Sequence, residues 1–416
     1  MKYFFILGKN PTLSIAELEA FFSCSKEIKI LSRNVTSENV LILETDKEIE
    51  AKNLIKKLGG VIKIGKIETE VDNNIQDILI KIKSFLKTAA NGKFKFGISY
   101  YGQSKFNIKP LAMEIKKYLK ERGISSRWVT SREPTLSSVV VEQNKLVNKG
   151  IEIIIIKKQP EGENRDSRLQ VGHTLAVQPF KDLSFRDYGR PARDDRSGML
   201  PPKLAIIMIN LAMAKSSLPL IKGEDGRGSI LDPFCGSGTI LTEAILMGYK
   251  NIIGADTSKK AIADTEKNIN WLKTNFQLPA FNYQLINSKV EELSKHIKPN
   301  SIDAIITEPY LGPQRGKINI NTIISELENL YSQAFVEFYK ILKSNGKIVM
   351  IWPVFRKQEA QSIKHISPDI KGFKIIYPIP INLYKNANIH LTKRNTIIYG
   401  RENQKVWREI VCLTKS

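Results

Sequence analysis

The chain has 416 residues, 42% of them apolar, which is more than a single hydrophobic core usually serves and reads as two or three domains. Its formal charge of +22, from 64 Lys and Arg against 42 Asp and Glu, favours a polyanionic partner, although a composition rich in Lys, Ile and Asn raises the charge by itself. Cys24, Cys235 and Cys412 are far apart and odd in number, and His173, His296, His365 and His390 lack ligand spacing, which excludes a disulfide framework and a metal site and fits the cytoplasm. The apolar runs Tyr3 to Leu7 and Ile151 to Ile156 are too short for a signal core or a membrane span, so the chain reads as soluble and unprocessed.

Residues 1–70 read as strand (Lys2 to Leu7), helix (Ser14 to Phe22), two strands (Ile28 to Leu31, Val40 to Glu44), helix (Lys47 to Leu58) and strand (Val61 to Ile67). That βαββαβ order is a ferredoxin-like module. Ser14 with Glu17 reads as a capping box, and Gly59-Gly60 as the stop of the second helix. Residues 71–158 continue with a helix (Ile75 to Leu86), a strand (Phe94 to Tyr100), a helix from Ile108 ended by Gly123, strands at Ser126 to Val129 and Ser138 to Val141, and Ile151 to Lys157. The last is an Ile run suited to a strand covered on both faces.

This second module holds the basic segment. From Lys81 to Arg132 there are 13 Lys or Arg but only two acids, Glu114 and Glu121, which is about half the net charge. Lys105, Lys109, Lys116, Lys117, Arg122, Arg127 and Arg132, with Tyr100, Tyr101 and Trp128 interleaved, are candidates for an anion-binding face. Arg127 and Arg132 beside Trp128 are the leading phosphate contacts.

Residues 159–198 read as linker and ordered loop, and a helix opens at Pro201-Pro202. Beyond it, strands at Ser229 to Asp232, Ile252 to Asp256, Asn282 to Ile286, Ile302 to Thr307 and Lys347 to Ile351 alternate with helices, which predicts a parallel, doubly wound sheet. Phe373 to Tyr377 and Thr396 to Tyr399 read as a final antiparallel pair, and 401–416 as a tail.

In such a sheet a nucleotide-like cofactor lies at the carboxyl ends of the strands. Asp232-Pro-Phe-Cys-Gly-Ser-Gly-Thr239 falls there: Gly236 and Gly238 allow close backbone approach, and Asp256 is placed to accept ribose hydroxyls. A dinucleotide fingerprint is incomplete because Leu241 stands at the third glycine position, and no Gly-Lys-Ser/Thr follows.

The eight-residue string closely resembles the cofactor loop of nucleic-acid amino-group methyltransferases, a class I, Rossmann-like fold. That resemblance implies S-adenosyl-L-methionine as cofactor, bordered by Asp232, Phe234, Cys235, Gly236, Gly238 and Thr239, with Asp256 on the ribose. Arg190-Pro-Ala-Arg and Met199-Leu-Pro-Pro-Lys203 resemble the segment that precedes this loop in tRNA guanine-N2 methyltransferases, bringing Met199 and Pro202 to the cofactor.

The same family places Asp/Asn-Pro-Pro-Tyr/Phe after the fourth strand, where acceptors bind the N–H groups of the amine and the aromatic ring stacks the base. Here the chain reads Thr307-Glu308-Pro309-Tyr310, so either Thr307 or Glu308 takes the carboxylate position; Glu308 is the stronger acceptor. Arg315 and Lys317 follow as candidate phosphate contacts. As a whole the chain resembles the guanine-N2 methyltransferases that act at position 10 of tRNA and carry a THUMP module for RNA, here residues 71–158. Alternatives are an rRNA guanine-N2 or DNA adenine-N6 enzyme, or a non-catalytic RNA-binding protein.

Overall fold

The computed structural model describes residues 1–25, 27–36, 39–86, 93–103, 105–157, 168–193, 199–213, 228–313, 319–357, 362–384, 386, 388–402 and 404–416. In chain order the first half contains β1 (Lys2–Leu7), α1 (Pro11–Ser23), β2 (Ile30–Val35), β3 (Val40–Thr45), α2 (Ala51–Leu54), β4 (Val61–Val71), α3 (Ile75–Phe85) and β5 (Phe94–Tyr101). It continues with α4 (Ile108–Glu121), β6 (Ser126–Val129), α5 (Ser138–Gln143), β7 (Gly150–Lys157) and β8 (Leu169–Val177).

These eight strands form one sheet in the order β2-β3-β1-β4-β8-β7-β5-β6. Its first four strands are antiparallel in the ferredoxin-like order. The expected boundary at residue 70 is not a break in hydrogen bonding, because β4 pairs with β8 from Lys63–Val177 to Val71–Leu169. Strand β8 lies inside the stretch 159–198 expected to be linker, which is corrected accordingly. Without it the whole edge of β4 would carry unpaired backbone groups. The Gln159-to-Asn164 tract lies outside the described residues.

The Ile run behaves as its pattern demands. Ile151, Ile153 and Ile155 of β7 enter one buried cluster with α3 and α4, whereas Ile154 and Ile156 enter another with Phe4 and Ile42. Ser138 to Val141 is helix α5, not a strand: the Ser137 hydroxyl accepts from Val140 N at 3.3 Å, and that cap with a buried Val141 overrides β-branched propensity. Lys47 to Leu58 is likewise shorter than expected, α2 followed by a single tight turn over Ile55–Lys57.

The capping box is also corrected. Helix α1 begins one turn earlier, capped by Asn10, whose side chain accepts from Leu13 N at 3.0 Å. Ser14 and Glu17 are therefore inside the helix. Ser14 Oγ donates to Gly60 O at 2.7 Å, and the buried Glu17 carboxylate accepts from Gly59 N, Gly60 N and Asn210 Nδ2, each at 2.8 Å. Asn210 lies in the helix over Pro202–Met213, so this carboxylate ties the two halves of the chain together.

The second half comprises α6 (Phe180–Tyr188), α7 (Pro202–Met213), β9 (Ser229–Asp232), α8 (Thr239–Leu246), β10 (Asn251–Asp256), α9 (Lys259–Asn275), β11 (Asn282–Asn287) and β12 (Ile302–Thr307). It ends with α10 (Ile320–Ile341), β13 (Leu342–Lys357), β14 (Ser362–His365), β15 (Phe373–Ile375), β16 (Ile397–Tyr399) and β17 (Val406–Lys415). The sheet runs β11-β10-β9-β12-β13-β17-β15; β9 to β13 are parallel and β17 is antiparallel. Thus 401–416 is not a tail. Strand β17 lies between β13 and β15, and β15 and β16 each pair with it rather than with one another. Among the described residues, no helix is long and apolar enough to cross a membrane, and no cluster of His, Cys, Asp and Glu could hold a metal.

Candidate active site

The carboxyl ends of β9, β10 and β12 open into a cavity of about 760 Å³, bounded also by Met199 and Leu200, the start of α9, and β17. Its first wall is the turn after β9. Gly236 (φ +53°) and Gly238 (φ +81°) both occupy the left-handed region that favours glycine. A Cβ on Gly238 would meet Thr265 at 2.8 Å, whereas the Cβ position of Gly236 is open space. The loop is braced from behind: Thr265 Oγ1 donates to Gly236 O at 2.8 Å, and Asn268 Nδ2 donates to Ser237 O at 2.8 Å and Ala192 O at 2.9 Å. Arg190 Nη1 donates to Thr239 Oγ1 at 2.6 Å and Nη2 to Met199 Sδ at 3.5 Å, which fixes the segment before α7 over the loop.

Two carboxylates serve this wall. Asp256 accepts from Gly236 N at 3.0 Å and Ser258 N at 2.9 Å, leaving each oxygen a lone pair for a ligand. Asp232, 2% exposed, accepts on Oδ1 from Thr307 Oγ1 at 2.7 Å and Phe234 N at 3.2 Å. Burial pushes its carboxyl up to about 7; the Thr307 and Phe234 bonds oppose this, and the charges of Asp256 and Glu308 add to it.

A second part of the lining is Glu308-Pro309-Tyr310. Glu308 lines the cavity and is paired with Arg408, whose Nε donates to Oε1 at 2.5 Å; both side chains are 12% exposed. Burial raises the Glu308 carboxyl above its ordinary range, with Arg408 pulling the other way. Tyr310 is 59% exposed, and its carbonyl accepts from Tyr331 Oη at 2.7 Å, which pins the turn to α10.

Of the residues expected here, Asp232, Phe234, Cys235, Gly236, Thr239, Asp256, Met199, Glu308, Pro309 and Tyr310 line the cavity. Three do not. Thr307 is fully buried and spends its hydroxyl on Asp232, Gly238 is the cap of α8, and Pro202 is buried in the first turn of α7 while Leu200 takes the lining position. Arg408, Val406 and Gln404 were not expected at all. The alternation Val406-Trp-Arg-Glu-Ile-Val-Cys-Leu413 was the available signal, because a strand there must join the sheet.

In the first half, Lys105, Lys109, Lys116, Lys117, Arg122, Arg127 and Arg132 are all exposed, and Arg127 lies on the edge strand β6. The aromatic residues between them are not available: Tyr100 and Tyr101 are buried, and Trp128 packs on the core. Instead Tyr118 carries the cations, with Arg122 4.4 Å and Lys83 4.8 Å from its ring. Arg315 and Lys317 lie outside the described residues.

A family model described as a methyltransferase domain matches residues 224–395. The chain is 31% identical over 163 residues to the tRNA (guanine(10)-N2)-dimethyltransferase of Methanothermobacter thermautotrophicus, a match covering 39% of this chain and 41% of that protein. It is 30% identical over 188 residues to the protein of the same description from Methanocaldococcus jannaschii, covering 44% and 47%. Residues 224–395 match a methyltransferase domain, and the chain is similar in sequence to these proteins over part of its length. The matches span less than half the length of either relative. In fold the likeness is longer: TrmN from Thermus thermophilus superposes with a TM-score of 0.51 at 14% identity, covering 100% of both chains.

A methyltransferase domain takes S-adenosylmethionine as donor, and the residues present fit it. Gly236 leaves room where a side chain would stand, Asp256 offers free lone pairs at the end of the second strand, and Asp232 sits where a cationic group would return its carboxyl to the charged form.

Proposed function

We propose that the chain is an S-adenosylmethionine-dependent RNA methyltransferase that acts on the exocyclic N2 amine of a guanine in tRNA, with position 10 favoured, in the cytoplasm. The observation that carries this reading is that Glu308, Pro309 and the exposed Tyr310 line the same cavity as the loop at Asp232 to Thr239. When bound, S-adenosylmethionine supplies an electrophilic methyl group on a sulfonium, and its sulfur departs as a neutral thioether.

The protein's own task is the acceptor. A guanine amine is a poor nucleophile because its lone pair is delocalised into the ring. The Glu308 carboxylate and the Pro309 carbonyl accept its two N–H groups, which favours a pyramidal nitrogen, and the carboxylate takes the proton lost on transfer. Tyr310 stacks the extruded base. Residues 71–158 are proposed as the THUMP-like RNA-binding part, with Lys105, Lys109, Arg122, Arg127 and Arg132 on phosphates.

The test is incubation with labelled S-adenosylmethionine and unmodified tRNA, followed by nucleoside mass spectrometry. N2-methylated guanosine is expected; label in adenosine, or only in DNA or rRNA substrates, would refute the reading.

A further inference from the structure

Glu308 stands where the resemblance leads one to expect an Asp or Asn, and a second charged residue accompanies the change. Arg408 reaches in from β17, where its backbone is paired with Pro353 of β13 on one side and Tyr399 of β16 on the other, so the guanidinium is mounted on a strand fixed along both edges. Only its Nε is used on Glu308. No described residue accepts from either Nη or donates to Glu308 Oε2, none of these atoms is among the buried unpaired ones, and both residues line the cavity.

The pair therefore offers, side by side, guanidinium donors and two carboxylate oxygens, of which Oε1 retains a second lone pair. The pairing edge of guanine carries an acceptor at O6 followed by donors at N1 and N2. The two sequences are complementary: donor to O6, acceptor to N1–H, acceptor to one N2–H, with the other N2–H left for the Pro309 carbonyl. Adenine has the opposite polarity, a donor at N6 and an acceptor at N1, so it would set an amine against the guanidinium and a lone pair against the carboxylate. Partly buried charged groups left facing the wrong partner exact a larger penalty than neutral ones.

Resting on the guanine-N2 reading above, we propose that Arg408 is a specificity-determining residue and that the Glu308–Arg408 pair selects guanine by its O6, N1–H and N2–H edge. A carboxylate alone would read only the two donors. Arg408 adds the O6 contact and favours the charged form of Glu308, which accepts rather than donates.

The experiment compares methyl transfer by the full chain to tRNA carrying either guanosine or 2,6-diaminopurine riboside at the nucleotide that mass spectrometry identifies as the target. The analogue keeps the 2-amine but replaces O6 by an amine and lacks N1–H. The unaltered protein is expected to prefer guanosine by about 100-fold or more in kcat/KM. Arg408→Met is expected to reduce that preference by at least about tenfold, chiefly through loss of the guanosine rate. Arg408→Lys keeps the charge but not the fork of donors, and gives an intermediate ratio. If Arg408→Met does not fold, as circular dichroism would show, the ratio of the Lys variant decides. Equal losses on both substrates with the ratio unchanged would overturn the specificity role while leaving the guanine-N2 reading standing. An unaltered protein that methylates no guanine overturns both.

Discussion

Two partly or wholly buried ion pairs, one in each sheet, show how the same chemistry serves structure in one place and a site in another. In the first sheet Lys63 and Glu152 are 1% and 0% exposed, 2.5 Å apart. Both are tied into further hydrogen bonds: Glu152 also accepts from Ser99 Oγ and Thr174 Oγ1 at 2.6 Å each, and Lys63 Nζ also donates to Leu136 O at 2.6 Å. At the second sheet Glu308 and Arg408 have the same 2.5 Å contact, but both residues line a cavity, and one carboxylate oxygen and two guanidinium nitrogens have no partner among the described residues. A closed network rigidifies a core, whereas an open one has capacity left for a ligand.

The largest effect that would break this comparison is on stability. Lys63→Met should strand a buried carboxylate and lower the unfolding free energy by about 3–5 kcal/mol in denaturant titration, and replacing Glu152 by Leu in the same chain should recover part of that. Methyl transfer per folded molecule should be unchanged. A loss below about 1 kcal/mol would show that the first pair is no more structural than a surface bridge.

Glu308→Gln should do the reverse, leaving the melting temperature and cofactor affinity in place while lowering transfer by about 100-fold or more. The acceptor is the carboxylate form, and burial raises the pKa of Glu308. In the unaltered protein transfer should therefore fall, as the pH is lowered, at a higher pH than an ordinary carboxylate would give. That limb should vanish in the Gln variant. Full activity in Glu308→Gln would remove its assigned role.

The smallest expected effect sharpens the contrast between the two halves. Arg127→Ala with Arg132→Ala should weaken RNA binding about tenfold at low salt and reduce the salt slope by about 2, with S-adenosylmethionine binding untouched. Unaltered RNA binding would move the anion face elsewhere.

Local pattern made much of this legible. Strands β9 and β12 were bounded correctly at Asp232 and Thr307, because short apolar runs end at turns that glycine or proline enforces. The cofactor wall is a contiguous string, and one segment of chain carries its geometry. The Ile run of β7 announced a strand covered on both faces.

What local pattern could not supply is pairing at long range. Helix α1 took its cap from Asn10, freeing Glu17 to hold Gly59, Gly60 and Asn210, and nothing near position 17 indicates those partners. The insertion of β17 beside β13 turned an expected tail into a cavity wall. The donor loop, the parallel sheet and the basic segment follow from residues close together in the chain. That Thr307 serves Asp232 while Glu308 lines the cavity with Arg408 depends instead on a strand one hundred residues away closing the sheet.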